Sequence, residues 1–324
     1  MQSRQNSLGK KIGDICVNNI VWVLLIVSVI VMGLFNQAFY KPAILINIIT
    51  QTTVLGIFTI AMSMAIILGD INLSVVGTSA FSAVIATSLM QYNGVPWVAA
   101  IFICVAIGLG IGILNGIIIT KLRAVALIET LAMNMILTGA VLAITQGKSV
   151  TDFPDAYKFI GQGRIFGDIP VLPIVLIIAY GIFWVIWKKT RYGRSLFAVG
   201  GNSQSAFVAG INVDKVKISA FAISGLMCGV AGYLLSSYMG AVTTSFGGSY
   251  EMNCIAASVI GGVSLSGGKG SIVGILGGAL LLTVIQVGLQ LLGIESFYVT
   301  LAGGLMVFVA VLIDAIRNMI TEKR

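Results

Sequence analysis

The 324-residue chain contains no histidine and little charge, with 19 Lys and Arg against 11 Asp and Glu, or 9% of positions. Soluble domains carry about 25% charged residues. The missing imidazole removes the commonest general base, the commonest metal ligand and any Ser-His triad. Cysteine is almost as uninformative. Cys16, Cys104, Cys228 and Cys254 are far apart and form no CxxC pair, so neither a disulfide framework nor a zinc site is indicated. No catalytic constellation and no metal site is expected, and no segment is long enough to form a separate soluble domain.

What is abundant is apolar sequence, at 58% of positions. Apolar runs near 20 residues recur along the chain, which is the pattern of transmembrane helices. The fold class expected is all-α: a polytopic membrane protein with about ten spans, near 20–38, 43–68, 75–92, 96–119, 125–145, 171–187, 217–238, 252–265, 271–292 and 297–315. The first run follows Lys10 and Lys11 and imitates a signal peptide, but no small-x-small cleavage site follows, so it is read as a retained span.

Orientation follows from the cations. With the N-terminus inside, 15 of the 19 Lys and Arg fall on the inner side, from Arg4, Lys10 and Lys11 through Lys121, Arg123 and the 188–217 cluster to Lys269, Arg317, Lys323 and Arg324. Four fall outside: Lys41, Lys148, Lys158 and Arg164. This bias supports N-in, C-in topology and explains the net charge of +8 without nucleic acid. The chain reads as a single domain, 1–324, with an external loop at 146–170 and a cytoplasmic segment at 188–217.

The stretch Gly261 to Ser271, "GGVSLSGGKGS", imitates a phosphate loop. A Walker A motif needs G-x-x-x-x-G-K-[ST], whereas Val263 stands five before Gly268 and Gly270 follows Lys269. The glycines are therefore assigned to turning and packing: Gly261, Gly262, Gly267 and Gly268 for a sharp turn between spans, Gly274 and Gly278 for close helix approach. "GDINLSVVG", from Gly69, echoes "GGVSLSGGK", from Gly261, and suggests an internal duplication.

Three blocks carry a resemblance: "GDINLSVVG", "TRYGRSLFAVGGNSQSAFVAGINVDKVKISAFAISGLMCGVAGYL" from Thr190, and "YEMNCIAASVIGGVSLSGGKGSIVGILGGALL" from Tyr250. Their order and spacing resemble the permease subunits of ribose-type monosaccharide ABC importers, over about 250 of the 324 residues. Asp70, Asn72 and Asn253 differ from the residues usual in that family. The resemblance implies a transport subunit of the bacterial inner membrane and not an enzyme. It implies a dimeric pathway, most simply a homodimer, with cytoplasmic ATP-binding subunits and an extracytoplasmic sugar-binding protein. ATP and magnesium would then be held by the partner ATPase, with no cofactor on this chain. Permeases for nucleosides or autoinducers look similar, and an ion-coupled secondary transporter is the more distant alternative.

In the cytoplasmic segment, Asn202 can cap a short helix over 203–209 and Gly210 can end it. With the resemblance, this becomes a coupling helix, and Arg191, Gly193, Arg194, Asn202, Ser203, Ser205, Phe207 and Gly210 become the candidates for contact with an ATPase. Polar residues within spans cost energy unless they meet a partner or a cavity. Asn47, Thr50, Gln51, Asp70, Asn72, Ser74 and Asn134 are thus candidates to line a pathway, and for each of them helix–helix hydrogen bonding is an alternative. Asp70 can also cap the next helix, and Glu129 needs a partner, with Arg123 nearby in sequence. Asp152, Asp155, Glu251 and Glu295 are expected near the external face.

Overall fold

The computed structural model describes residues 20–312, apart from 166, 168, 249, 296, 307, 309 and 310. The predicted features at Arg4, Lys10, Lys11, Cys16, Asp168, Arg317, Lys323 and Arg324 lie outside the described residues, as do both ends of the chain. The elements are α1 (Ile20–Phe35), α2 (Pro42–Ile66), α3 (Val75–Asn93), α4 (Trp97–Lys121), α5 (Ala126–Thr145), α6 (Asp155–Gln162), β1 (Arg164–Ile165), β2 (Ile169–Pro170), α7 (Leu172–Lys189), α8 (Arg191–Gly201), α9 (Ser203–Val208), α10 (Val213–Met239), α11 (Tyr250–Ile260), α12 (Ile272–Leu291) and α13 (Phe297–Met306).

Each of the ten predicted spans contains a helix. Seven of them, α2, α3, α4, α5, α7, α10 and α12, are long and apolar enough to cross a membrane. The eighth predicted span, 252–265, is corrected: α11 covers 11 residues and stops at Ile260. At 1.5 Å per residue that is about 16 Å, roughly half of a hydrocarbon core. Gly262, at φ 86, turns the chain where the helix stops. The seventh starts earlier than predicted, at Val213, because the Asn212 side chain accepts from the Lys215 N–H at 3.0 Å and caps a polar first turn.

α2 is the hub. From Thr52 to Ile66 its residues are all buried, as is the Ile67 cap, and α10, α11 and α12 pack around it. α4 and α10 cross in direct backbone contact. Gly108, Gly112 and Gly116 on α4 face Phe221, Gly225 and Gly229 on α10; a Cβ on Gly112 would lie 2.9 Å from the Gly225 Cα. Small residues four apart let two helices meet this closely in lipid. On α12, Gly274 and Gly278 pack against the backbone of Gly261 and Ala257.

Charge identifies the cytoplasmic end. Lys121 closes α4, and its Nζ lies 2.6 Å from Asp214 at the start of α10. Lys188 and Lys189 close α7. At the opposite end, the 146–170 loop folds into α6 and the β1–β2 hairpin, neither of which was expected from sequence. α6 is fastened to the far end of α10: Tyr157 Oη lies 2.7 Å from Ser236 Oγ, and Ser237 Oγ accepts from the Gly161 N–H at 2.9 Å. Asp155 on α6 is fully exposed and pairs with Lys158 at 2.9 Å. The hydrogen bond and positive charge of Lys158 hold its carboxyl below the usual carboxylate range.

Candidate functional site

The cytoplasmic segment is more ordered than the sequence suggests. Thr190 starts α8 by accepting from the Gly193 N–H at 3.0 Å. Leu196 and Val199 form its buried stripe, and Phe197 meets the edge of Trp187 at 5.7 Å between centroids. Burial pushes the Tyr192 phenol up to about 12, so it stays neutral. The 191–201 helix was not foreseen; the Thr cap three residues before Gly193 and the Leu196–Val199 spacing were its signals.

α9 is the predicted short helix. Asn202 Oδ1 accepts from the Ser205 N–H at 2.8 Å. At the other end Gly210, at φ 84, donates to the Phe207 carbonyl, and Ile211 N–H reaches the Ala206 carbonyl at 3.0 Å. This is a Schellman closure, which favours glycine at the left-handed position. Ala206 is buried beneath the helix, whereas Phe207 and Val208 are 70% and 81% exposed. Among the coupling candidates, Arg191, Arg194, Asn202, Ser205, Phe207 and Gly210 are exposed, Ser203 is half-buried and Gly193 is buried. A Cβ on Gly193 would lie 2.5 Å from the Trp187 carbonyl oxygen, so Gly193 sets how α8 turns back against α7.

α8 ends against two distant turns. The Gly200 position has no room for a side chain, because a Cβ would overlap the Ile67 carbonyl oxygen and approach Gly268 N to 2.8 Å. Gly268 N–H donates to that same Ile67 carbonyl at 2.8 Å. A Cβ on Gly267, at φ 81, would lie 2.6 Å from Gly200 O and 2.9 Å from Gly69 N. The two turns with echoing sequences thus meet one another and the end of α8. They also share a local bond: Asn72 Oδ1 accepts from Ser74 N–H at 3.1 Å, and Ser264 Oγ from Ser266 N–H at 3.3 Å.

Most of the polar span residues are committed within the chain. Asn72 and Ser74 are 2% and 0% exposed, and Asn72 Nδ2 donates to Ser224 Oγ at 3.0 Å. Asn134 Oδ1 accepts from the Gly77 N–H at 2.9 Å, and Thr130 Oγ1 from the Leu73 N–H at 3.0 Å. These oxygens satisfy the backbone where the chain breaks between α2 and α3, as low-dielectric surroundings require. Glu129 finds its partner in Asn115 rather than Arg123. With the Asn115 amide oriented to suit its neighbours, its nitrogen donates to Glu129 Oε1 at 3.2 Å. Asp70 pairs with Lys217 at 3.3 Å and does not cap α3, whose N-cap is Ser74. Thr50 donates to its own helix, to the Ile46 carbonyl at 2.8 Å. Asn47 and Gln51 are half-buried and bond only one turn apart, at 3.2 Å.

The sequence profile of the family described as "Branched-chain amino acid transport system / permease component" matches residues 44–310, from near the start of α2 into the last described turns. The chain belongs to this family. It is a multi-pass inner-membrane permease component and a transport subunit, not an enzyme. Its relatives include the ribose import permease protein RbsC of Bacillus subtilis (strain 168), 37% identical over 90% of each chain. The protein of the same name from Haemophilus influenzae (strain Rd) is 34% identical over 94% of this chain and 95% of its own. The galactose/methyl galactoside import permease protein MglC of Escherichia coli (strain K12) is 30% identical over 92% and 94%. These matches cover 90–94% of the permease, so the α8–α9 segment and both echoing turns lie inside the shared region.

Proposed function

We propose that this permease is the translocating subunit of an ATP-driven importer of a monosaccharide, with a ribose-like pentose as the first candidate. The relatives named for ribose stand at 37% and 34% identity against 30% for the one named for galactose, which supports that order. α9 is the docking element for a separate cytoplasmic ATPase, which supplies the ATP and magnesium sites. A second copy of the chain completes the pathway, and an extracytoplasmic binding protein delivers the solute. Of the candidate pathway residues, Asn47 and Gln51 keep this role, because they are half-buried and their side chains bond only to each other, one turn apart.

The observation that carries the docking reading is the exposure of Phe207 and Val208, at 70% and 81%, on a helix outside the spans and capped at both ends. Two apolar side chains held rigidly in a charged setting suit a cleft on a soluble partner. The test is co-purification with the ATPase subunit together with solute uptake into vesicles. Phe207→Ser is expected to cut ATPase recovery by about tenfold, the loss of a buried aromatic anchor. Wild-type uptake is expected to need both ATP and the binding protein. Full recovery of the ATPase by the variant refutes the docking role, and uptake driven by an ion gradient without ATP refutes the importer class.

A further inference from the structure

We propose that the backbone junction of Gly200 with Ile67, Gly69, Gly267 and Gly268 is the transmission point of the permease. There, movement of α9 passes at once to α2 and to the α11–α12 turn. Gly200 and Gly267 are positioning residues: they touch neither solute nor ATPase. The inference rests on the docking reading of α9.

A lever transmits displacement only if nothing yields between its ends. Side-chain packing between α8 and the spans, such as Phe197 against Trp187, can slide or change rotamer. Gly200 is different. It has no side chain, and its Cα sits where a Cβ would overlap the Ile67 carbonyl oxygen. That oxygen also accepts the 2.8 Å hydrogen bond from Gly268 N–H. Gly267 closes the group, with space for a Cβ only 2.6 Å from Gly200 O and 2.9 Å from Gly69 N. Three segments separated by more than sixty residues are therefore joined backbone to backbone. The part of the junction drawn from α2 is the end of the most completely buried helix. The part drawn from residues 267–268 leads into α12 through Ser271, which caps it. A push on α9 reaches α8 through one residue, Asn202, and then both arms. Gly201, the next residue, supplies an internal comparison, since a Cβ there has its nearest neighbour at 3.9 Å.

The experiment compares Gly200→Ala with Gly201→Ala in the complete importer, reading uptake kinetics, ATPase recovery and ATP hydrolysis. Gly200→Ala is expected to lower the maximal uptake rate by about tenfold while the half-saturating solute concentration and ATPase recovery stay within about twofold, a loss confined to the turnover step. Gly201→Ala is expected to transport like the parent. Normal uptake by Gly200→Ala, or equal damage from both, overturns the proposal. Because Gly200→Ala could fail to assemble, a second measurement stands alone. Gly201→Cys and Lys269→Cys, joined by a short bis-maleimide in the assembled complex, tether the junction across its contact. If the junction moves as one body, tethered importer keeps more than half of its uptake. If tethering stops uptake while the single-cysteine controls still transport, the junction opens in each cycle and the proposal fails. Loss of ATPase by Phe207→Ser alongside normal uptake by Gly200→Ala would refute transmission and leave docking standing. Retained ATPase in Phe207→Ser would refute docking first.

Discussion

Thr130 and Asn134 sit one turn apart on α5 and hold out oxygens to two N–H groups of a different segment, Leu73 and Gly77. Chain that leaves one helix and starts another within a membrane exposes donors that water would otherwise satisfy, and an unmet donor there costs about 1–3 kcal/mol. The amide of Asn134 is therefore first a cap supplied from a neighbouring helix. Asn134→Ala is expected to lower stability by about 1–2 kcal/mol, the usual size of a lost cap. The measurement is the unfolding midpoint in detergent beside uptake per folded molecule. A fall in midpoint with unchanged specific uptake confirms the cap. Unchanged midpoint with lost uptake would make Asn134 a pathway residue. Asp70, Asn72 and Ser74 show why such residues could not be sorted from sequence. Their types suit a solute contact and a cap equally well, and the choice is made by Ser224 and Lys217, about 150 positions away.

At the scale of helices, the α4–α10 crossing is the most extensive pairing among the described elements. Gly108, Gly112 and Gly116 recur every four residues and place three backbone patches against α10. Gly110 lies between them and has nothing within 4 Å of its Cβ position. Gly112→Val is expected to force the helices apart and cost about 1–3 kcal/mol or more, as overpacking does. Gly110→Val is expected to be nearly neutral. Folded yield in the membrane, with thermal inactivation as a second readout, separates the two. This spacing is present in the sequence, but three glycines four apart in an apolar run stand out less than the dense Gly261–Gly278 stretch. The ten apolar segments were legible because hydropathy is a local property and lipid imposes it on every span. α9 was legible because Asn202 and Gly210 carry both of its ends. α6 and α8 were not, because a short amphipathic helix shows too few turns for its period to stand out. The eighth segment reads as short and Gly-rich in the sequence, but its stop at Ile260 did not show, since Val263 and Leu265 beyond the last turn are as apolar as the helix itself.

Taken as one molecule, the permease has in α10 a long helix with attachments at both of its ends. α10 begins at the Asn212 cap directly after the α8–α9 segment and ends at Met239 beneath the external loop. There the loop is held by a small set of hydrogen bonds, two of them buried. Ser237 Oγ accepts from Gly161 N–H at 2.9 Å and donates to the Tyr157 carbonyl at 2.9 Å, and Gln162 Nε2 reaches the Tyr238 carbonyl at 3.0 Å. A Cβ on Gly161 would lie 2.6 Å from Ser237 Oγ, so α6 sits directly on the backbone of α10. A binding protein resting on the external loop would thus press on the helix whose other end adjoins α9, the proposed docking element. Ser237→Val removes both hydrogen bonds of the hydroxyl and adds a methyl group at the tightest point, which costs about 2–3 kcal/mol of docking. The expected outcome is a fall of about tenfold in the ATP hydrolysis stimulated by solute-loaded binding protein, because a loosened loop wastes about 1.4 kcal/mol of the coupling between the two faces. Basal hydrolysis and ATPase recovery should hold, since α9 and its caps are untouched. Stimulation equal to the parent would show that the external signal reaches the cytoplasmic side by another helix.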